Sequence, residues 1–350
     1  MKLDTKKILE VLNLRNIWIP VLGWLVVLFY QFVTSTEFSP EQLNLIKRAN
    51  WGYIVLAILV VMARHVGHMY RIRLLTHHYL SWSACFYIIT IWEFSSAITP
   101  SSGGGGIVAI FLLAREGIKP AKAMAYIMLT IVFDSFLFVL AASPGLVGMY
   151  EPIISGLGVR VGFWLAYVII SISTLALSFA LFVSPRPLKW LLLQCTRIRF
   201  LRRWKAAAGR YSNEISLAYR ELRRESLAHW LQVGIATLGA WIARYILLNL
   251  LMAAFLPIKP VEHIQILGKQ IILWAVMFLS PSPGAIGIAE ITLQHLCGDN
   301  LRGYTLIVGT IWRLLTFVLY LILGCIFLPR WLRRVSTKQS TALVKPHHSA

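Results

Sequence analysis

L-S-P-S-P-G-A-I-G-I-A-E, residues 279–290, lies between two strongly apolar stretches of this 350-residue chain. Two prolines and two glycines interrupt sequence that would otherwise favour one continuous helix, because both residue types are poor in helix interiors. Glu290 follows the interruption within apolar sequence. The stretch therefore predicts a helix that is broken among hydrophobic residues, with an acid beside the break.

The composition indicates a membrane protein. Hydrophobic residues make up 58% of the chain and charged residues only 14%, against about 45–50% and about 25% in soluble domains. Several apolar stretches reach the roughly 20 residues that a helix needs to cross the hydrocarbon core. The predicted fold class is an all-α polytopic integral membrane protein.

About six full spans and two broken regions are expected. The broken regions, 82–114 and 263–297, are too long for one crossing, and each contains a Pro- and Gly-rich break, at 99–106 and 280–287. We interpret each as a re-entrant helical hairpin, although two short crossings per region would leave the same side assignments. The predicted spans lie near 17–33, 48–67, 122–142, 160–184, 228–256 and 303–328.

The basic residues fall mainly on one side of these spans. The net charge is +20, and 25 of the 34 Lys and Arg residues lie in the termini and the loops near 68–81, 114–122 and 185–227. The segments on the opposite side of the predicted spans hold 5 Lys and Arg residues. Positive residues favour the cytoplasmic side and its anionic leaflet, so both termini are predicted to be cytoplasmic and nucleic-acid binding is not expected.

The chain is predicted to form one transmembrane domain over residues 1–334. Residues 185–227 form a basic cytoplasmic segment that is expected to lie on the anionic leaflet, and residues 335–350 form a disordered tail. The cysteines, and the histidines near 65–78, show no metal-ligand spacing. No metal or cofactor is therefore predicted.

An internal repeat relates the two breaks. The repeat halves span about 48–142 and 228–328, and the hairpin topology makes them inverted in the membrane, as in many transporters. Arg64 and Arg244 also correspond, at an offset of 180. A shift of 181 positions aligns Pro100 with Pro281, Gly103 with Gly284 and Gly106 with Gly287, and brings Asp134 near Arg313.

Each break precedes a short helix whose N-terminus could bind an anion. Free backbone N–H groups and the helix dipole favour negative charge there, and glycine lets a phosphate approach closely. Alternatively, the glycines only allow close helix packing. The candidate binding glycines are Gly103, Gly104, Gly105, Gly106, Gly284 and Gly287.

Ionisable residues within apolar segments complete the candidate site. Arg244 and Arg313 are predicted to bind an anionic head group, with Asp134 and Glu290 orienting them or carrying protons. Tyr320 shares a polar helix face with Arg313, while Glu93 and Lys269 are weaker candidates. The structural alternative is that Asp134–Arg313 or Glu290–Arg313 ion pairs merely hold the bundle together.

The motifs resemble a known family. P-S-P-G-A-I-G-I-A-E (281–290), W-R-L-L-T-F (312–317) and T-P-S-S-G-G-G-G…L-A-R-E-G (99–117) are similar to the signatures of the lysylphosphatidylglycerol synthase transmembrane-region family. Members commonly carry a Glu-Arg pair just before the aspartate of the span after the first break. Here that stretch is T-I-V-F-D, so only Asp134 matches.

The resemblance implies a flippase-like protein of a bacterial or archaeal cell (inner) membrane. It implies translocation of a membrane phospholipid or lipid-linked substrate, or an accessory scaffold role in envelope lipid or glycolipid synthesis. It does not imply lysyl-lipid synthesis, which requires an additional soluble domain. No catalytic motif is found, although paired acids leave a lipid-modifying enzyme open. A homo-oligomer is compatible with the sequence.

Overall fold

The computed structural model describes most of the chain and is helical throughout the part described. The described residues are Leu12, 17–34, Lys47, 49–99, 104–143, 157–197, 205–222, 225–301 and 303–344. Within these ranges there is no strand, so the predicted all-α polytopic fold is confirmed.

The helices follow the predicted apolar segments, and several begin at recognisable caps. Ser81 and Ser226 accept hydrogen bonds from the first turns of α3 and α9. The helices are α1 Trp18–Thr34, α2 Trp51–Leu75, α3 Trp82–Ile98, α4 Gly104–Arg115, α5 Pro120–Ala141, α6 Leu157–Phe182, α7 Arg186–Cys195, α8 Lys205–Leu222, α9 Leu227–Ala253, α10 Pro260–Phe278, α11 Ile288–Leu301, α12 Thr305–Arg313 and α13 Leu319–Val344. A π-helical turn, Leu314–Val318, joins α12 to α13.

Six helices in the described part are long and apolar enough to cross a membrane. Five of them match predicted spans: α2, α5, α6, α9 and the continuous α12–α13 helix. The sixth is α10, which has 19 residues and a length of about 28 Å at 1.5 Å per residue. The predicted span 17–33 is the shorter α1, of 17 residues.

Both predicted breaks are present. Helix α3 ends at Ile98 and α4 begins at Gly104, while α10 ends at Phe278 and α11 begins at Ile288. Helix α4 has 12 residues, about 18 Å, which is too short to cross the hydrocarbon core. Residues 100–103, which include the candidate Gly103, lie outside the described residues. The re-entrant path of either region remains a prediction.

The order of helices repeats in the two halves. Helices α2 to α5 and α9 to α13 each run as a long helix, a second helix, a break, a short helix and another long helix, the last of which is the continuous α12–α13 in the second half. The leading helices α2 and α9 pack together and are antiparallel. Asn50 N donates to Ala254 O at one end (2.8 Å), and His77 contacts Glu225 at the other. An inverted repeat requires such opposed directions.

Helices α2 and α9 approach closely where Gly67 meets Ala240. A Cβ on Gly67 would lie 3.3 Å from the Cβ of Ala240, so this small-residue contact sets the distance between the two backbones. Because the helices are antiparallel, Arg64 and Arg244 lie about one turn from this crossing in the same direction. The predicted correspondence of these two arginines therefore brings them to one level of the bundle.

The structure bears on the two segments that are predicted to be cytoplasmic, the basic segment 185–227 and the tail 335–350. Helix α8 of the basic segment packs against α5 and α6, with Ile215 buried, so this part of the segment contacts the bundle; its position on a leaflet stays a prediction. Helix α13 continues to Val344 and so overlaps the predicted tail of residues 335–350. Disorder of the tail stays a prediction. The last residues, 345–350, are not described.

Replacing Gly324 by alanine should destabilise the protein. A Cβ there would lie 2.1 Å from Cδ2 of Phe94, a fully buried ring, so we expect a loss of roughly 1–3 kcal/mol. Thermal unfolding in detergent measures this. Gly239→Ala is the matched control, because nothing lies within 4 Å of its added Cβ. Equal melting temperatures for the two variants would contradict the packing described.

Candidate functional site

The second break has a strained backbone. Gly284 and Ala285 have φ values of 58° and 55°, and Gly287 has a φ of 83°. This left-handed conformation suits glycine but costs free energy at alanine. Gly284 is also covered by Phe317, whose Cε2 would lie 2.2 Å from an added Cβ. The break is thus a packed structure that its neighbours hold in place.

Arg313 holds this break by three hydrogen bonds. Its Nη1 donates to Gly284 O at 3.0 Å, and its Nη2 donates to Ala285 O at 3.2 Å. Its Nε donates to Oε1 of Glu290 at 2.6 Å. The arginine side chain is only 3% exposed, so these acceptors replace the water that a guanidinium requires. Of the two pairings considered from the sequence, Glu290–Arg313 is the one present.

The other oxygen of Glu290 occupies the anion position at the start of α11. Its Oε2 accepts from Gly287 N at 2.8 Å, which satisfies one of the free N–H groups of the helix N-terminus. The sequence predicts an anion there, and in the structure a carboxylate of the protein itself fills that place. We call Gly284, Ala285, Gly287, Glu290 and Arg313 the Arg313 clamp.

A small cleft lies next to the Arg313 clamp. It is lined in part by Trp24, Glu290, Thr305 and Arg313. Its volume of about 30 Å³ has room for one or two water molecules. The Arg313 donors that line it are already engaged with Gly284, Ala285 and Glu290. The clamp therefore has a structural role in this conformation, and its predicted part in substrate binding remains a prediction.

A second set of charges lies among α2, α3, α5 and α9. Arg64 Nη2 pairs with Oε1 of Glu93 at 2.5 Å, and Arg71 Nη1 pairs with Oδ1 of Asp134 at 2.6 Å. Arg244 lies within electrostatic range of Arg64, Glu93 and Asp134. We call Arg64, Arg71, Glu93, Asp134 and Arg244 the central charge cluster.

Asp134 is fixed by two donors on different helices. Besides Arg71, the indole Nε1 of Trp241 donates to its Oδ1 at 2.8 Å. The predicted alternative of an Asp134–Arg313 pair is not observed. Asp134 on α5 faces α2 and α9, whereas Arg313 faces the second break, so near-equivalent positions in the repeat have different partners.

Arg244 differs from the other arginines of the central charge cluster. Its guanidinium lies 5.7 Å from the ring centre of Trp274 and 6.0 Å from that of Trp241, cation–π contacts with no acceptor atom. Among the described residues it has no hydrogen bond or ion pair. With three guanidinium groups and two carboxylates, the central charge cluster has one more cationic than anionic side chain.

Tyr320 lies at the edge of the same cluster. Its ring is 5.7 Å from the Arg64 guanidinium, its hydroxyl lies 3.4 Å from Nδ1 of His65, and the residue is buried. The structure therefore brings together three of the predicted site residues, Asp134, Arg244 and Tyr320. It places Glu290 and Arg313 separately, in the Arg313 clamp.

The glycines of the first break pack closely against neighbouring helices. A Cβ on Gly105 would lie 1.9 Å from Oγ of Ser96, and one on Gly106 would lie 3.8 Å from Cγ2 of Ile127. Helix α4 begins at Gly104. The contact at Gly105 agrees with the packing alternative, while an anion-binding role for these glycines remains a prediction.

The sequence does not indicate the roles of two residues in the central charge cluster. The predicted span ends at 67, which places Arg71 in a loop, whereas α2 continues to Leu75. Its spacing of seven from Arg64 puts both arginines on one helix face, a signal that the sequence already contains. Glu93, a weaker candidate from the sequence, pairs with Arg64.

Lys269, the other weaker candidate, lies outside the cluster. Its ammonium hydrogen-bonds to the side chain of Asn300, which joins α10 to α11. The residue is buried. Its contact is therefore one between neighbouring helices of the second half.

Comparison with known proteins places the chain in a family. Residues 20–324 match the lysylphosphatidylglycerol synthase TM region. The chain belongs to this family. A UPF0104 membrane protein of Archaeoglobus fulgidus is 26% identical over 304 residues, covering 81% of this chain and 88% of the relative. The match confirms the resemblance given by the motifs and identifies the chain as a lipid-related membrane protein.

Breaking the Arg313 clamp should be costly. Glu290→Gln leaves a buried guanidinium without its counter-charge, and Arg313→Gln leaves a buried carboxylate unpaired, so each should lower stability by about 3–5 kcal/mol. The double variant should lose less than the sum, because the two residues act as a pair. Thermal unfolding of the three variants tests this coupling. Strictly additive losses would contradict it.

Proposed function

We propose that the protein binds the anionic head group of a membrane lipid at the central charge cluster and moves the lipid between leaflets. The single observation that carries the proposal concerns Arg244, which lies within a membrane-spanning helix. Its guanidinium has ring contacts but no acceptor among the described residues. Arginine at the centre of a membrane helix costs at least about 2.5–3.5 kcal/mol. A bound anion would offset that cost.

The charge of the cluster favours a singly charged anion. One excess positive charge is neutralised by one phosphodiester group, the unit shared by membrane phospholipids. The planar guanidinium can donate two parallel hydrogen bonds to phosphate oxygens. The Glu93 and Asp134 carboxylates are already engaged with Arg64 and Arg71, which leaves Arg244 as the principal anion-binding group.

The position of the cluster suits a transport site. It joins helices of the first half, α2, α3 and α5, to α9 of the second half. Transporters built from inverted repeats commonly bind substrate between the repeats, near the middle of the membrane. The two ion pairs link different helices, so changes in their geometry would accompany any movement of one half against the other.

The proposed setting is a bacterial or archaeal cell membrane with both termini in the cytoplasm. The division of basic residues, 25 on one side and 5 on the other, supports this orientation. The Arg313 clamp would then be a fixed part of the second half, while Arg244 would meet the lipid.

Lipid movement in proteoliposomes tests the proposal. Arg244→Gln should slow transfer of a fluorescent anionic phospholipid by about tenfold or more, since a hydrogen bond to a charged group contributes about 1.5–3 kcal/mol. Arg244→Lys should retain part of the rate because it keeps the charge. The melting temperature should change little, because Arg244 makes only ring contacts within the described part.

Arg73→Gln is the matched control for this assay. Arg73 also lies over a tryptophan ring, that of Trp82 at 4.8 Å, but it lies outside the central charge cluster. Its transfer rate should remain close to that of the parent. Equal rates for the parent and Arg244→Gln would contradict the proposal, as would a similar loss in Arg73→Gln.

A further inference from the structure

Two histidines and a glutamate meet at the opposite end of the α2–α9 pair from Asn50. His77 lies in the loop between α2 and α3, Glu225 lies just before α9, and His229 lies in the first turn of α9. Nε2 of His77 is 2.9 Å from Oε1 of Glu225. The imidazole rings of His77 and His229 are stacked, with centres 4.9 Å apart.

The third member of this group has an unused nitrogen. Nε2 of His229 is buried and has no hydrogen-bond partner within the described residues. A buried polar atom without a partner is uncommon and calls for a ligand or another explanation. One ligand atom from each of the three residues falls within 4.8 Å of the others. The three side chains therefore bring two imidazole rings and a carboxylate within reach of one another.

We propose that His77, Glu225 and His229 bind one Zn²⁺ ion. Imidazole nitrogen and carboxylate oxygen are normal zinc ligands at about 2.0–2.2 Å, which places tetrahedral ligand atoms roughly 3.3 Å apart. The His77–Glu225 contact, at 2.9 Å, needs to open by a few tenths of an ångström. The ligand atoms lie up to 4.8 Å apart, so the widest pair needs to close by about 1.5 Å, which a change of side-chain rotamer can supply. Three protein ligands leave a fourth position for water.

The backbone around His77 is consistent with an anchored loop. His77 and His78 have φ values of 49° and 59°, a left-handed conformation that is uncommon for residues other than glycine. Such a conformation persists when surrounding contacts hold it. A zinc ion would tie this loop to the start of α9 and so fix the end of the helix pair that carries Arg64 and Arg244.

Zinc binding by the full-length protein tests the proposal. Protein freed of its purification tag and treated with a chelator is dialysed against buffered Zn²⁺, and bound metal is counted by mass spectrometry. The parent should hold about one tightly bound zinc per chain, and its melting temperature should rise by roughly 2 °C or more. Co²⁺ in place of Zn²⁺ should show the visible absorption of a tetrahedral site. A parent that retains no zinc would overturn the proposal.

His77→Asn and His78→Asn form a matched pair. The residues are adjacent, exposed and left-handed, and asparagine tolerates that conformation. We expect His77→Asn and His229→Ala to weaken zinc binding at least about tenfold, and His78→Asn to change it by less than about twofold. Parent-like binding in His77→Asn would overturn the proposal, as would an equal loss in His78→Asn. Lipid transfer is a separate measurement, so either result stands apart from the function proposed above.

Discussion

A buried guanidinium needs acceptors, and open backbone among apolar helices needs donors. Arg313 meets both requirements at the second break, because it donates to the carbonyls of Gly284 and Ala285 and to Glu290. Glu290 in turn accepts from Gly287 at the start of α11. These bonds satisfy polar groups of the break that would otherwise cost several kcal/mol each in a membrane. The path of α10, α11 and α12 depends on this arrangement.

Arg244 and Arg313 differ in the groups that surround their guanidinium. Arg313 has acceptors for each of its nitrogen positions, whereas Arg244 has two indole rings and nearby positive charge from Arg64. The contrast separates a structural arginine from a candidate binding arginine by their hydrogen bonds. The antiparallel packing of α2 and α9 explains how this site arises, because it brings Arg64 and Arg244 to one level.

The sequence predicts the breaks because proline and glycine interrupt a helix locally. It predicts the Glu290–Arg313 pair as one of two alternatives, since both residues lie in apolar sequence near the second break. It does not predict that Asp134 pairs with Arg71, because that contact depends on how α2 and α5 are rotated against each other. The meeting of His77 with His229 likewise follows from the antiparallel packing of α2 and α9, and no local pattern around either histidine indicates it.

The measurement that tests the central claim most directly is native mass spectrometry of the protein released from mixed-lipid nanodiscs. If the uncompensated charge of Arg244 binds a lipid head group, the parent should retain one phospholipid, with phosphatidylglycerol preferred over phosphatidylethanolamine. Arg244→Gln should lose that lipid and the preference for anionic lipid, while Arg73→Gln should keep both. Identical lipid retention by the parent and Arg244→Gln would contradict the account.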